Sequence, residues 1–258
     1  MGYEIRSIKN AIQLLSYFDE HNPELGVNEL TTKMNIHKST VHRILITLEK
    51  TGILEQDCKR GKYRLGLRLY ELGNLALHGF ELNRLSQSYL KELMEKTQET
   101  VHLVVYDKGE GVYINKVDGP QRMRMVSRIG SRLPLHCTGV GKVLLAYLER
   151  SELKKVIRDG GLCRFTDNTI THAADLEKEL EKIRKVGFAI DNEEIELGLK
   201  CVAAPVRDHN GEIIASISIS GSSQRITKDK IPYLSKSIIE TAEKISYRLG
   251  YRIGRKLK

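Results

Sequence analysis

The 258-residue chain has no run of 18 apolar residues, which is the length that a membrane-spanning helix needs. Its best candidate for such a run, residues 140–148, is short and contains Lys142. The N-terminus has an early acid, Glu4, and no apolar segment, so we expect no signal peptide. These absences argue against a membrane protein and predict that the membrane is not a partner.

Cysteine is scarce and widely spaced. The chain contains Cys58, Cys137, Cys163 and Cys201, and no two of them form a Cys-x-x-Cys pair. This spacing argues against a disulfide scaffold and against a zinc ribbon. We therefore predict a protein of the reducing cytoplasm.

Motifs of the common enzyme classes are also missing. The chain has no GxSxG, HExxH or Walker loop, and Gly-Val-Gly at residues 139–141 lacks the third glycine of a dinucleotide fingerprint. We therefore expect no enzyme activity, no cofactor and no metal. Two alternatives stay open: an enzyme in which His136 activates Cys201 as a nucleophile, and a metal sensor whose ligands come from His136, Cys137, Asp191 and Cys201.

Length and composition indicate a globular protein of about two domains. Apolar residues make up 40% of the chain and charged residues 29%, which is typical of a protein with a buried core. The net charge is +9, from 42 Lys and Arg against 33 Asp and Glu. Such an excess suggests a polyanionic partner, although a solvated basic surface has the same composition. Basic residues gather locally within residues 38–43, 59–64 and 244–258.

Residues 1–66 show the pattern of three helices followed by a hairpin. Apolar residues at helical spacing predict the first helix, and they are Ile8, Ile12, Leu15 and Phe18. Residues 22–26 break this helix, and Asn28 has the position of an N-cap for the second one. A polar turn at residues 35–37 leads to a third helix that ends at Gly52. Two short helices joined by such a turn predict a helix-turn-helix unit.

The third helix carries the chemistry of a recognition helix. Its polar side chains are Lys38, Ser39, Thr40, His42, Arg43 and Thr47. The lysine and hydroxyls at its N-terminus suit phosphates, which the helix dipole also attracts. His42 and Arg43 can reach base edges, and arginine prefers guanine. The alternative is a small three-helix core with a solvated face.

A basic hairpin follows directly after these helices. Residues 53–55 and 62–65 read as strands, with a turn at residues 57–61 between them. A hairpin in this place is the wing of a winged helix-turn-helix, and its expected DNA contacts are Lys59, Arg60 and Lys62. We also expect Asn28, at the start of the second helix, to contact DNA.

Residues 67–84 predict a helical linker. Leucines recur through this segment, and Gly73 is expected to interrupt the helix. Because no proline- or serine-rich stretch follows, we expect the linker to couple the two domains more rigidly than a flexible one would. Exposed leucines in the linker also favour dimerisation.

Residues 85–258 mix strand and helix patterns. Strands are predicted at residues 101–106, 112–117, 123–129, 188–191, 202–206 and 213–220. Helices are predicted from a Thr138 cap to residue 148, from a Ser151 cap to residue 158, over residues 176–186 and from a Thr227 cap to residue 249. Hairpins with helices before, between and after them predict an α+β fold, with an antiparallel sheet covered by helices.

Two features of this larger domain suggest a ligand pocket. Residues 217–220 alternate isoleucine and serine, so Ser218 and Ser220 share one face of a strand. Gly139 and Gly141 lie where a helix begins, and free N–H groups there form a cradle for a carboxylate or a phosphate. A solvent-facing strand and a simple tight turn are the alternatives.

The order and spacing of several motifs resemble the IclR family of bacterial transcriptional regulators over nearly the whole chain. The motifs are Asn-Glu-Leu at 28–30, Lys-Ser-Thr-Val-His-Arg at 38–43 with Leu48, Leu-Pro-Leu-His-Cys-Thr-Gly-Val-Gly-Lys at 133–142, Gly-Phe-Ala-Ile-Asp-Asn-Glu-Glu at 187–194, Cys-Val-Ala-Ala-Pro-Val at 201–206 and Ile-Ser-Ile-Ser-Gly at 217–221. The resemblance implies an N-terminal winged helix-turn-helix and a C-terminal GAF-like α/β effector-binding domain. It also implies dimers, or dimers of dimers, on palindromic operators of catabolic operons.

The resemblance also implies a set of effector-binding positions. They fall on Met125, Leu133, Gly139, Val140, Asp191, Cys201, Ser218 and Ser220. Val140 is bulkier than the Ala or Ser common in the family, and His37 replaces the usual cap of the recognition helix. We therefore predict a ligand-responsive regulator whose effector is a small carboxylic acid or a sugar acid. A repressor is favoured over an activator.

Overall fold

The computed structural model describes residues 4–19, 21–57, 60–79, 81–120 and 127–252. The chain divides into two compact units, Met1–Phe80 and Glu81–Lys258. Each unit has its own hydrophobic core, and the mixture of helix and strand confirms the predicted α+β class.

The N-terminal unit is a helix-turn-helix with a small antiparallel sheet. Its helices are α1 (Arg6–Leu15), α2 (Val27–Met34), α3 (Lys38–Lys50) and α4 (Leu67–Gly79), and its strands are β1 (Leu25–Gly26), β2 (Leu54–Asp57) and β3 (Lys62–Leu65). Strand β3 lies between β1 and β2 and pairs antiparallel with both. Leu14 of α1 and the apolar faces of α2 and α3 pack with Leu54 and Tyr63 of the hairpin. Ile8 and Ile12, predicted on the apolar face of the first helix, are exposed instead. The predicted winged helix-turn-helix is thereby confirmed.

The cap of α2 corrects the sequence prediction. Gly26 holds the cap position, and its N–H donates to Oε2 of Glu29 over 2.7 Å. Asn28 lies within the first turn instead, because β1 runs directly into the helix. His37 precedes α3 without a side-chain cap hydrogen bond. The local chain path, and not cap propensity alone, therefore decides where α2 begins.

Helix α4 is continuous, which corrects the predicted interruption at Gly73. A glycine within a helix costs only about 1 kcal/mol relative to alanine, so the turns on either side can carry the helix through it. Large apolar side chains on this helix remain exposed to solvent, and they include Leu67, Tyr70, Leu72 and Leu75.

The C-terminal unit is built on a six-stranded antiparallel sheet in the order β6-β5-β4-β9-β8-β7. Its strands are β4 (Thr100–Asp107), β5 (Glu110–Val117), β6 (Arg132–Leu133), β7 (Ala189–Asn192), β8 (Leu199–Arg207) and β9 (Ile213–Ser222). Its helices are α5 (Glu81–Thr97), α6 (Gly139–Ala146), α7 (Arg150–Gly160), α8 (Ala173–Val186) and α9 (Ile231–Arg248). In the described part of the chain, no helix is long and apolar enough to cross a membrane.

The two faces of this sheet pack against different helices. Ile217 and Ile219 belong to a cluster with apolar residues of α5 and α9. Val104 and Ala203, which point to the other side, pack with α6 and α8. Because side chains alternate along a strand, Ser218 and Ser220 face the side that α6 covers.

Several boundaries in this unit differ from the prediction. Thr138 caps α6 as predicted, although the helix ends at Ala146. Helix α7 begins at Arg150, so Ser151 lies inside its first turn. Helix α9 begins at Ile231, after a turn that separates it from Thr227, and proline occupies its first turn, where a missing N–H is tolerated.

The strand predicted over residues 123–129 is not found at residues 127–129, and its remaining residues lie outside the described ranges. Strand β6, at Arg132–Leu133, forms the edge of the sheet beside β5 and pairs with it.

Candidate functional site

The first candidate site is the exposed face of α3. Its predicted contact residues are all exposed, and they are Lys38, Ser39, Thr40, His42 and Arg43. Asn28 on α2 is exposed as well. The opposite face is buried through Val41, Ile44 and Leu45. Within the described part of the chain, no acidic side chain pairs with Lys38 or Arg43. A phosphate or a base edge can therefore bind them without displacing an internal partner.

The wing is formed by β2 and β3, and two of its basic side chains are paired with acidic ones. Lys62 Nζ lies 3.4 Å from Glu29 Oε2, and Arg60 Nη1 lies 3.6 Å from Glu24 Oε2. Exposed pairs of this kind contribute about 0–1 kcal/mol, so DNA phosphates can compete with them. Lys59 lies outside the described residues.

The second candidate site is a polar surface on the C-terminal sheet. The strand register pairs Ser218 of β9 with His102 of β4, Ser220 with Cys201 of β8, and Cys201 with Asp191 of β7. Directly paired residues point to the same side of a sheet, so four adjacent strands contribute to one surface. All five residues are buried, which rules out the solvent-facing alternative for the serines.

His102 links the two serines to Ser127, which lies in the segment between β5 and β6. Its Nδ1 lies 3.3 Å from Ser220 Oγ and 3.4 Å from Ser218 Oγ, and its Nε2 lies 2.8 Å from Ser127 Oγ. Burial, helped by the charge of Lys116, lowers the pKa of His102 to about 3. The imidazole is therefore neutral at pH 7, with one nitrogen that donates and one that accepts.

The first turn of α6 lies against the same surface. A Cβ atom at Gly139 would lie 3.5 Å from Cys201 Cβ and 3.6 Å from Asp191 N. The backbone N–H groups of Gly139 and Val140 come before the first hydrogen-bonded turn of the helix, and they have no acceptor in the described part of the chain. This helix start therefore offers two free donors beside the Asp191–Cys201 pair.

A buried lysine ties α6 to the turn after β7. Lys142 is 1% exposed, and its Nζ donates to Ile190 O over 2.7 Å and contacts the carboxylate of Glu194. The N–H of Glu194 donates to Asp191 Oδ1 over 2.8 Å. The other oxygens, Asp191 Oδ2 and Glu194 Oε2, have no partner within the described residues. Lys142 thus holds the turn that fixes Asp191 while one Asp191 oxygen stays available.

Burial sets the charge states around this turn. Desolvation raises the pKa of Asp191 to about 7, against the lowering effect of the Glu194 N–H. Burial also raises the pKa of the Cys201 thiol, and the charge of Asp191 adds to this effect. Such a thiol is a poor nucleophile. Its suggested partner, His136, donates from Nε2 to Cys163 O over 2.9 Å, and within the described residues no hydrogen bond joins His136 to Cys201.

Two predicted effector-binding positions remain, Leu133 and Met125. Leu133 on β6 is buried in the apolar cluster that also contains Val140. Met125 lies outside the described residues. Across the ranges that the structure describes, no group of three or more His, Cys, Asp or Glu side chains is arranged to hold a metal ion.

Sequence reasoning missed His102, Tyr113, Ser127 and Lys142. A signal for His102 exists, because it is a polar residue on alternate spacing within the apolar strand β4. Tyr113 joins the surface after an irregularity in the β4–β5 pairing, and its ring centroid lies 5.1 Å from that of His102. Ser127 and Lys142 depend on contacts between distant parts of the chain, which no local pattern shows.

The fold and the free face of α3 define a class of protein: a helix-turn-helix regulator that carries a larger α+β domain. Residues 7–57 match the IclR helix-turn-helix domain, and residues 74–247 match the bacterial transcriptional regulator IclR C-terminal domain. The chain belongs to the IclR family of bacterial transcriptional regulators.

Relatives of known name agree with this assignment. The HTH-type transcriptional regulator KdgR of Escherichia coli strain K12 is 38% identical over 247 residues, which cover 96% of this chain and 94% of KdgR. The HTH-type transcriptional repressor AllR of the same strain is 32% identical over 247 residues, covering 96% and 91%. The crystal structure of Thermotoga maritima IclR has a TM-score of 0.79 and 39% identity, covering 96% of this chain and 100% of that one. These names support a regulator and not an enzyme.

Asp191→Asn is expected to change how stability depends on pH. The folded-state pKa of Asp191, about 7, lies above the unfolded value of about 3.9. Ionisation therefore lowers the stability of the wild-type protein as pH rises from about 4 to about 7, by up to roughly 4 kcal/mol. Asparagine does not ionise, so the free energy of unfolding of the wild type minus that of the variant should fall over this range and stay level above it.

Urea unfolding followed by circular dichroism, repeated between about pH 5 and about pH 8, measures this difference. Asp167→Asn is the matched control, because the Asp167 side chain is 101% exposed and its replacement should give a nearly constant difference. A constant difference for Asp191→Asn as well would contradict a buried carboxyl that retains its proton.

Proposed function

We propose that this protein is a cytoplasmic repressor that binds a palindromic operator in double-stranded DNA and responds to a small carboxylic acid or sugar acid. The observation that carries the proposal is the exposed face of α3, whose Lys38 and Arg43 have no acidic partner within the described residues. Repression, as opposed to activation, is supported by the relative AllR, which is named a repressor.

The chemistry of α3 suits a major groove. Its N-terminal residues lie where backbone N–H groups and the helix dipole attract a phosphate. Arg43 lies one turn further along, and its planar guanidinium can bind O6 and N7 of guanine together. Phosphate contacts set the position of the helix, and base contacts give specificity.

Arg43→Ala is expected to weaken operator binding by about 1–3 kcal/mol and to relax the preference at one base position. Footprinting and fluorescence anisotropy with the operator and with single-base variants measure both effects. Arg158→Ala is the control, because Arg158 is an exposed arginine on α7 of the other unit. Unchanged operator affinity in Arg43→Ala would show that α3 is not the recognition helix.

Two recognition helices are needed for a palindromic operator, since one helix reads only a few base pairs. The N-terminal unit offers an apolar surface for pairing two chains. Side chains on α1 and α4 are 58–69% exposed, and they are Ile8, Ile12, Leu67, Tyr70 and Leu75. Burying them between two copies removes apolar surface from water, which stabilises the pair. We therefore infer a homodimer, which can associate further into a dimer of dimers.

Light scattering after size exclusion should give a mass of at least twice the 29.3 kDa of one chain at micromolar concentration. Replacing exposed Tyr70 and Leu75 together by glutamate places like charges in the proposed interface and should weaken operator binding. A mass of one chain with full operator affinity would contradict the dimer.

The polar surface of the C-terminal sheet suits a small hydroxy or keto acid. Ser218, Ser220 and the free N–H groups at the start of α6 are donors, which match a carboxylate. Asp191 Oδ2 has no partner within the described residues, so it can accept from a hydroxyl of the same ligand. An effector that binds one dimer arrangement better shifts the population towards it, and this changes the spacing of the two recognition helices.

Ser220→Ala is expected to lower effector affinity about 10- to 100-fold, since a hydrogen bond to a charged group contributes about 1.5–3 kcal/mol. Operator binding without effector should persist. Calorimetry with a panel of small carboxylates, including glycolate, pyruvate, glycerate and gluconate, measures the change.

Ser216→Ala is the matched control, because Ser216 lies on the same strand but its Oγ donates to Ala204 O over 3.2 Å. Normal effector binding by a Ser218→Ala, Ser220→Ala double variant would contradict the carboxylate site, as would a panel in which only amines or uncharged compounds bind.

A further inference from the structure

A cavity of about 260 Å³ lies beside α9, where strand β8 continues past the end of β7. Ala204 and Pro205 of β8 line it, together with Ile239 and Ala242 of α9. Ala204 belongs to the apolar cluster on the α5 and α9 side of the sheet. None of the five residues of the polar surface lines this cavity. It is therefore a separate place in the C-terminal unit.

Two aromatic rings hold Arg207, at the end of β8, beside this cavity. Its guanidinium carbon lies 5.0 Å from the ring centroid of Tyr147 and 5.8 Å from that of Tyr251. Both tyrosines also line the cavity. The Nη1 of Arg207 donates to Gly211 O over 2.9 Å. Aromatic faces attract the planar, weakly hydrated guanidinium, so the rings and the carbonyl fix Arg207 before any ligand binds.

The end of α9 positions Tyr251 for this contact. Gly250 has a φ of +95°, a left-handed conformation that glycine adopts at little cost. The chain thereby turns back, and the N–H of Tyr251 donates to Ser246 O over 2.9 Å. The Oγ of Ser246 accepts from the backbone N–H of Arg207 over 2.9 Å. These bonds tie the helix end to the strand end beside the cavity.

Arg207 has donors to spare. A guanidinium carries five N–H donors in a fixed fork, and within the described part of the chain only Gly211 O accepts from this one. No acidic side chain of the described residues forms an ion pair with it. Because a carboxylate can accept two parallel hydrogen bonds from such a fork, the cavity contains a receptor for a carboxylate.

Glu243 adds a negative charge to the same cavity. It lies on α9 with Ile239, Ala242 and Ser246, at the i, i+3, i+4, i+7 spacing of one helix face. Glu243 is exposed, and among the described residues no cation pairs with it, Arg207 included. One positive and one negative side chain therefore line the cavity without contacting each other.

We propose that this cavity binds an α-amino acid with an apolar side chain, in its zwitterionic form. The carboxylate binds Arg207, the ammonium group binds Glu243, and the side chain packs on Ala204 and Ile239. A cavity of about 260 Å³ has room for about nine non-hydrogen atoms at about 30 Å³ each, which is the size of leucine. This site goes beyond the proposed repressor function and does not depend on α3 or on the polar surface.

Both charges contribute to the selectivity of the site. A simple carboxylic acid satisfies Arg207 but brings a like charge towards Glu243, and a simple amine does the reverse. A zwitterion offers each side chain its opposite charge.

Calorimetry on the full chain tests the site with three probes that share one apolar body. They are leucine, 4-methylpentanoate, which lacks the ammonium group, and 3-methylbutylamine, which lacks the carboxylate. Leucine should bind the wild-type protein with a Kd of about 1 mM or tighter, and the other two should bind about tenfold or more weakly.

Two variants separate the two charges. Arg207→Gln removes the carboxylate receptor and should weaken leucine binding about tenfold or more. Glu243→Gln should weaken leucine binding about two- to fivefold, as for an exposed ion pair. The same variant should bind 4-methylpentanoate equally well or better, because a repelling charge is gone. Arg248→Gln and Glu240→Gln are the matched controls and should change nothing, since both residues are exposed on α9 and neither lines this cavity.

Three results would overturn the inference: no binding of leucine to the wild type at about 10 mM, equal binding of leucine and 4-methylpentanoate, or leucine binding that Ser220→Ala abolishes and Arg207→Gln leaves intact. The last result would place leucine on the polar surface. Failure to bind operator DNA or hydroxy acids would contradict the proposed function and leave this site unaffected. If Arg207→Gln loses its circular dichroism signal, the three probes and Glu243→Gln decide.

Discussion

Polar side chains buried on one face of a sheet lower stability unless each finds a partner, and the C-terminal unit is arranged around this constraint. His102 stays neutral and contacts both serines. Lys142, at the start of α6, neutralises Glu194 and holds the turn that carries Asp191. Asp191 keeps an unpartnered oxygen and a pKa of about 7. The opposite sheet face packs an apolar cluster on α5 and α9, and its buried Asn115 bonds to Asn83 and Gln87 of α5. The unpartnered oxygens in the described part of the chain, Asp191 Oδ2 and Glu194 Oε2, are therefore those of the α6 side.

The N-terminal unit is arranged the opposite way, with its functional polar side chains exposed to solvent. Its core is fully apolar, and the basic and hydroxyl side chains of α3 point to solvent. Acids near the wing pair with Arg60 and Lys62, while Lys38 and Arg43 on α3 stay without an acidic partner in the described part of the chain. Within this unit, the cations Lys38 and Arg43 of the proposed recognition helix α3 are thus more available than Arg60 and Lys62 of the wing. A regulator needs both conditions in one chain: an open charged face for DNA and a closed polar face for a small molecule.

The sequence predicts those parts of the structure that depend on local periodicity. Helical spacing identifies α3, and the strict alternation in β9 places Ser218 and Ser220 on one face. Cap residues are less predictable, because the path of the preceding chain decides where a helix begins. Asn28 shows this. The burial of Lys142 and the contact of His102 with the serines arise from pairing between distant segments, which short-range patterns do not encode.

We propose that one chain couples effector binding to operator binding. The most direct test measures operator affinity with and without the best-binding carboxylate, and effector affinity with and without operator. Thermodynamic linkage requires the same factor in both directions, and allosteric factors are commonly about 5- to 150-fold. We expect equal factors in this range, with the effector weakening operator binding. An effector that binds tightly but changes operator affinity less than about twofold would contradict it.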